Sequence, residues 1–150
     1  MPESLSEKVS LEAVALFKSG YHCSEAVLLA FEKYTNKEFS EDAKRGMSAY
    51  VRGVGSSGCI CGALAGGVFV LSTLGGRLTP DESTSRLEKV TKELHDGFRN
   101  EFKSACCRVI TKNSAKIFGI GKYNTCHKTV DYVSMKIIDL AHREGWITVQ

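Results

Sequence analysis

Apolar positions recur at helical spacing along most of the chain. Ser4 and Glu7 form a capping-box pattern, and Leu5, Val9, Ala13, Leu16 and Phe17 then fall on one helical face. Gly20 ends that segment. A second helix begins near Cys23, with Val27, Ala30 and Tyr34 on the cysteine's own stripe, and stops at Asn36-Lys37. Ser40 is placed to cap a third, whose buried side is Ala43, Met47, Tyr50 and Val51. Beyond the glycine-rich stretch Gly53 to Gly58, the segment Gly62 to Leu74 is apolar all round, which suits the centre of a bundle. Its Gly62, Ala63, Ala65, Gly66 and Gly67 let neighbouring backbones come close, and Gly75-Gly76 terminate it.

Thr79-Pro80-Asp81-Glu82 has the residues of a helix start: a cap, a first-turn proline and acids at the positive end of the dipole. Leu87, Val90, Leu94, Phe98 and Phe102 continue at helical spacing. Ser104 is placed to cap a short helix through Cys107, Val109 and Ile110. Lys112 to Thr125, with Gly119 and Gly121, reads as a loop with room for one helical turn. A last helix runs from about Cys126 to His142, burying Val130, Val133, Ile137 and Ala141. No run alternates as a strand does; Gly145 to Gln150 is a short extended tail at most, with Trp146 as a packing anchor. The expectation is one all-α domain over residues 1–150, a bundle of about six helices around a central small-residue helix.

Composition narrows the function. A chain of 150 residues, 43% apolar and 25% charged, can build one core. Its 20 basic and 17 acidic side chains are interspersed, giving +3, which argues against a nucleic-acid partner. The N-terminal residues carry no apolar signal, and the longest apolar run, Ala63 to Leu71, is too short to span a bilayer. The expectations are a cytoplasmic protein and no membrane insertion.

Six cysteines then need a reason, and a reducing compartment makes a disulfide framework a poor one. Cys23, Cys61 and Cys126 fall at the first turn of expected helices, and Cys107 follows Ser104. Unpaired N–H groups and the helix dipole favour a thiolate there, and a lowered pKa makes a better nucleophile or metal ligand. The plain alternative is burial as small apolar side chains. Cys59-Ile60-Cys61 is a Cys-x-Cys pair, whose ring closes under strain. Vicinal Cys106 and Cys107 cannot easily bond each other, and their alternation puts one toward the core. His22 and His127 adjoin Cys23 and Cys126 and could ligate or accept a proton, but a helix turns adjacent residues in different directions, so exposure is the commoner outcome. Gly53-Val-Gly-Ser-Ser-Gly58 fits G-x-G-x-x-G without the preceding strand that dinucleotide binding needs. The glycines read instead as a tight turn presenting Cys59 and Cys61, and no nucleotide is expected.

These residues resemble a known family, the C_GCAxxG_C_C redox-active proteins. Gly20-Tyr-His-Cys23-Ser-Glu-Ala-Val27 is similar to its first cysteine segment, and Cys61-Gly-Ala-Leu-Ala-Gly66 to its Cys-Gly-Ala-x-x-Gly motif. Phe102-Lys-Ser-Ala-Cys-Cys107-Arg108 resembles the third segment, and Cys126 ahead of Val130 the fourth. Lys103 departs from the usual glycine, and Cys59 and Cys106 are additional thiols. The resemblance implies a redox function. A similar domain accompanies haem in split-Soret cytochromes, which implies electron transfer and an iron–sulfur or other iron site. No Cys-x-x-Cys-His occurs here, so covalent haem is not expected.

Two functional classes follow. In the first, Cys61 is the central thiolate, and Cys23, Cys107 and Cys126 converge on it as catalytic resolving partners or as metal ligands. That set suits an iron–sulfur cluster or tetrahedral zinc; iron would carry electrons and zinc would not, and the expectation is an oxidoreductase or electron-transfer protein with a redox partner the sequence does not name. In the second, the chain is a non-catalytic helical interaction module with inert thiols, and its Gly62 to Gly76 helix is available for homodimer contacts.

Overall fold

The structure is a computed structural model and describes residues 3–118 and 126–148. The described residues form α1 (Leu5–Lys18), α2 (Cys23–Tyr34), α3 (Glu41–Gly46), a 3-10 turn (Ser48–Tyr50), α4 (Gly62–Gly75), α5 (Ser85–Phe102), α6 (Cys107–Phe118) and α7 (Cys126–Arg143), with no strand among them. The fold is all-α, as the periodicity predicts. The Ser4 capping box forms, with the Glu7 N–H donating to Ser4 Oγ and the Ser4 N–H to Glu7 Oε2.

Three expected boundaries move, each for a local reason. Ser40 does cap α3 by accepting the Ala43 N–H at 3.1 Å, but the helix ends at Gly46. The buried Ser24 hydroxyl donates to the Met47 carbonyl at 2.7 Å and draws the chain toward α2. α5 starts at Ser85, not at Thr79-Pro80. Thr79 to Glu82 is a turn, with the Glu82 N–H on the Thr79 carbonyl, and the Arg77 guanidinium takes the Pro80 carbonyl that a helix would use. α6 runs through 112–118, where a loop is expected, because the breaking glycines lie only beyond Phe118; residues 119–125 of that expected loop lie outside the described residues. Residues 145–148 turn at Gly145, with φ at 74°, instead of extending, and 149–150 are not described.

The bundle is built on α1, α2, α4 and α7. α1 packs on α2 and α7, and the Ser10 hydroxyl donates to the Asp131 carboxylate between them. α4 packs on α2, α5 and α7, with Gly62 to Gly67, Val70 and Leu71 buried. Trp146 lies on Gly75 at the end of α4, under the Arg86 guanidinium at 5.4 Å, and so anchors the tail as expected. Among the described residues no helix is long and apolar enough to cross a membrane.

Small residues set the spacing of α4. A Cβ on Gly62 would lie 2.5 Å from Cys23 Sγ, one on Gly66 would lie 2.9 Å from the Ser24 carbonyl, and one on Gly67 would lie 2.5 Å from Val133 Cγ1. Backbone cannot yield as a side-chain tip can. Gly66→Ala is therefore expected to lower stability by about 1–3 kcal/mol in spite of its better helix propensity. Gly46→Ala, which meets nothing within 4 Å, is expected to raise it by about 0.4–1 kcal/mol. Urea unfolding of the two variants checks the opposite signs.

Candidate functional site: four cysteines around one cavity

The four cysteines sit at helix starts. Cys23 is the first residue of α2, Cys61 the N-cap of α4, Cys107 the first residue of α6 and Cys126 the first of α7. All four line one cavity of about 260 Å³, together with Phe17, Tyr21, His22, Arg52, Thr111 and Thr129 among its walls. Cys61 and Cys107 are buried, while Cys23 and Cys126 are partly exposed. Cys59 is exposed and Cys106 half-buried, and neither lines the cavity. Of the two histidines, His22 is in the wall and His127 is not.

Two segments bring α4 and α6 to the cavity. Arg52 to Ser56 are five consecutive residues with positive φ, at 47°, 74°, 58°, 56° and 65°. Such backbone disfavours side chains, most of all the β-branched Val54. The turn is held by hydrogen bonds from the N–H of Gly55 to Ala49 (2.8 Å), Ser56 to Val51 (2.9 Å) and Gly58 to Arg52 (3.1 Å). It turns Cys61 inward and leaves Cys59 outside, a tight turn of the kind the glycines predict. A helix and a 3-10 turn precede it, not a strand. The second segment is the approach to α6. Lys103, where glycine is usual in the family, takes the left-handed conformation at φ 68°, so the backbone keeps the glycine shape. Ser104 accepts the Cys106 N–H at 3.0 Å, three residues ahead of Cys107, where the helix it is expected to cap begins.

The thiols' acidity departs from expectation. A helix start predicts a lowered pKa, yet burial pushes Cys23 up to about 12, with repulsion from Cys61 and Cys126 adding to it and the Ser24 N–H opposing. Burial pushes Cys126 up to about 12 as well, and the Cys61 and Cys107 charges add, while Arg52 opposes. Burial also raises Cys61, against the N–H groups of Leu64 and Ala63 and the Thr129 hydroxyl. The helix-end donors are present, but loss of water outweighs them. Arg52, Thr111 and Thr129 were not among the residues expected from the sequence. Thr129 and Thr111 follow Cys126 and Cys107 by three and four residues, so helical spacing carries their signal. Arg52 is placed by the positive-φ turn, which no spacing announces.

The donor set is soft, four thiols with imidazole nearby, and suits zinc or iron–sulfur chemistry. One ion held at 2.3 Å brings tetrahedral sulfurs to about 3.5–4 Å. Among the described residues no three His, Cys, Asp or Glu side chains are grouped as a metal ion needs.

The raised pKa values make stability depend on pH. Unfolded thiols ionise at the ordinary value of 9.0, but folded Cys23 and Cys126 ionise only at about 12. The unfolded chain loses protons first, so the metal-free, reduced protein is expected to lose stability between about pH 9 and about pH 12. Denaturant midpoints through that range check this, and a Cys23→Ser/Cys126→Ser double variant is expected to fall less steeply than the parent.

Comparison with known proteins agrees with the geometry. Residues 21–140 match the model of the family described as "Putative redox-active protein (C_GCAxxG_C_C)", and the match spans all four cavity cysteines. No curated protein and no solved structure matches the chain. A match over that much of the sequence makes the chain a member of the C_GCAxxG_C_C family of redox-active proteins.

Proposed function

We propose that the chain is an electron-transfer protein whose Cys23, Cys61, Cys107 and Cys126 hold an iron–sulfur cluster. One observation carries this reading: four helix starts deliver the four motif cysteines to one cavity and leave Cys59 and Cys106 out of it. Bound there, the cluster would supply reversible one-electron chemistry. The chain's own contribution is to fix four thiols in a mostly apolar enclosure and to exclude water from Cys61 and Cys107. Four thiolates round one cavity repel one another, and iron's positive charge would offset that cost. Arg52 adds a cation at the wall near Cys126 and favours its thiolate. The cavity's partly open side, where Tyr21 is exposed, is the natural approach for an electron donor or acceptor.

Anaerobic reconstitution with iron and sulfide is expected to give a brown protein that bleaches on reduction and carries iron and acid-labile sulfide. Cys61→Ser and Cys107→Ser are each expected to lose most of the iron, with affinity down roughly 10–100-fold or more. Cys59→Ser and Cys106→Ser should keep it. Colourless protein that reversibly loses two cavity thiols on oxidation would instead identify a metal-free thiol–disulfide centre. An unchanged fold and no redox response after replacing all four would identify an interaction module.

A further inference from the structure

Charge is distributed unevenly around the cavity. From Ala43 to Pro80 and from Phe102 to Val130 the sequence has no Asp or Glu. The fold joins these two stretches: the Cys61 N–H donates to the Ala105 carbonyl at 2.7 Å, and the Arg108 N–H to the Gly58 carbonyl at 3.1 Å. Arg52 is in the cavity wall, and Lys18, Arg108, Lys112 and Lys128 each adjoin a wall residue in the chain; all five are exposed. No wall residue is acidic, and neither is any chain neighbour of one. Two acids lie one position further along, and both have other partners. Glu25 accepts the His22 N–H and the Ser48 hydroxyl, and Asp131 accepts the Ser10 hydroxyl of α1. Counting both, the five cations still prevail. Of the six large apolar side chains exposed among the described residues, three belong to the same segments. Tyr21 is in the wall, Ile60 adjoins Cys61, and Val54 is in the positive-φ turn after Arg52.

We infer that this surface docks an acidic protein, the electron donor or acceptor, over the cavity mouth. That the partner carries electrons rests on the iron–sulfur reading; that it is acidic rests on the surface itself. Apolar side chains among like charges make a transient protein interface, and an excess of one sign steers a partner of the opposite sign. A nucleic acid would use the cations but not Val54 or Ile60.

The test titrates the metal-free, reduced, isotope-labelled full-length protein with reduced plastocyanin, an acidic copper protein, and with reduced cytochrome c, a basic haem protein. Backbone NMR shifts are read. At about 0.01 M ionic strength, where charges act over about 30 Å, plastocyanin is expected to move the signals of residues 50–61 and 103–112, and cytochrome c none of them. At about 1 M, where the reach is about 3 Å, the shifts should vanish. An Arg108→Gln/Lys112→Gln/Lys128→Gln variant is expected to bind plastocyanin about tenfold more weakly, with its own spectrum reporting that it is folded. No shift at these residues, shifts centred elsewhere, an equal response to cytochrome c, or tighter binding of a single-stranded oligodeoxynucleotide than of plastocyanin would each overturn the inference. If the metal-free spectrum is poorly dispersed, the reconstituted protein decides. One electron passes from the reduced protein to the copper of oxidised plastocyanin, taking Cu(II) to Cu(I), and salt is expected to slow this while speeding transfer to oxidised cytochrome c. The same salt dependence for both would overturn the inference. Failure to take up iron would overturn the cluster and leave the NMR titration to decide the docking surface.

Discussion

Everything at the cavity depends on how closely the first turn of α4 approaches the first turn of α2. Gly62 has no side chain because the Cys23 sulfur occupies that space, and Gly66 has none because the Ser24 backbone does. That contact sets the first residue of one helix beside the N-cap of the other, so Cys23 and Cys61 meet as a result of backbone packing. In the Cys-Gly-Ala-x-x-Gly motif, the two glycines set how closely the helix that follows Cys61 approaches α2. A methyl group at Gly62 would press on the Cys23 sulfur, and one at Gly66 on the Ser24 backbone.

The same packing decides which electrostatic effect prevails. Helix starts favour thiolates by about 0.3–1 kcal/mol near an exposed end. Removing a charge from water costs more than that, and a second and third like charge nearby add to the cost. Cys23, Cys61 and Cys126 therefore hold their protons more firmly than free cysteine does. Cys59 is exposed and lies outside the cavity.

Much of this was legible before any coordinates, because helix starts and apolar stripes are local features. Val27 and Ala30 beside Cys23, and Val130, Val133 and Ile137 beside Cys126, are all fully buried, as their spacing implies. Ser4 and Glu7 form the capping box they spell. The misplaced boundaries depend on distant partners. Arg77 occupies carbonyls of the Thr79-Pro80 segment, and Ser24 draws the chain at Met47 away from a longer α3. The thiol acidity departs from the local pattern for a related reason: the dipole is visible in the sequence, while burial is a property of the assembled bundle. Arg52 lay beyond reach because a run of positive φ at arginine, valine and serine follows from no local preference.

The pairing of α1 with α7 has a consequence for how the site comes into being. Phe17 of α1 and Cys126 of α7 are walls of the same cavity, though more than a hundred positions separate them. During synthesis the first three motif cysteines emerge while the fourth is still within or behind the ribosome. The compartment can close only when α7 docks across helices already made. Closing the cavity therefore depends on a long-range contact between α1 and α7 and not on local structure alone.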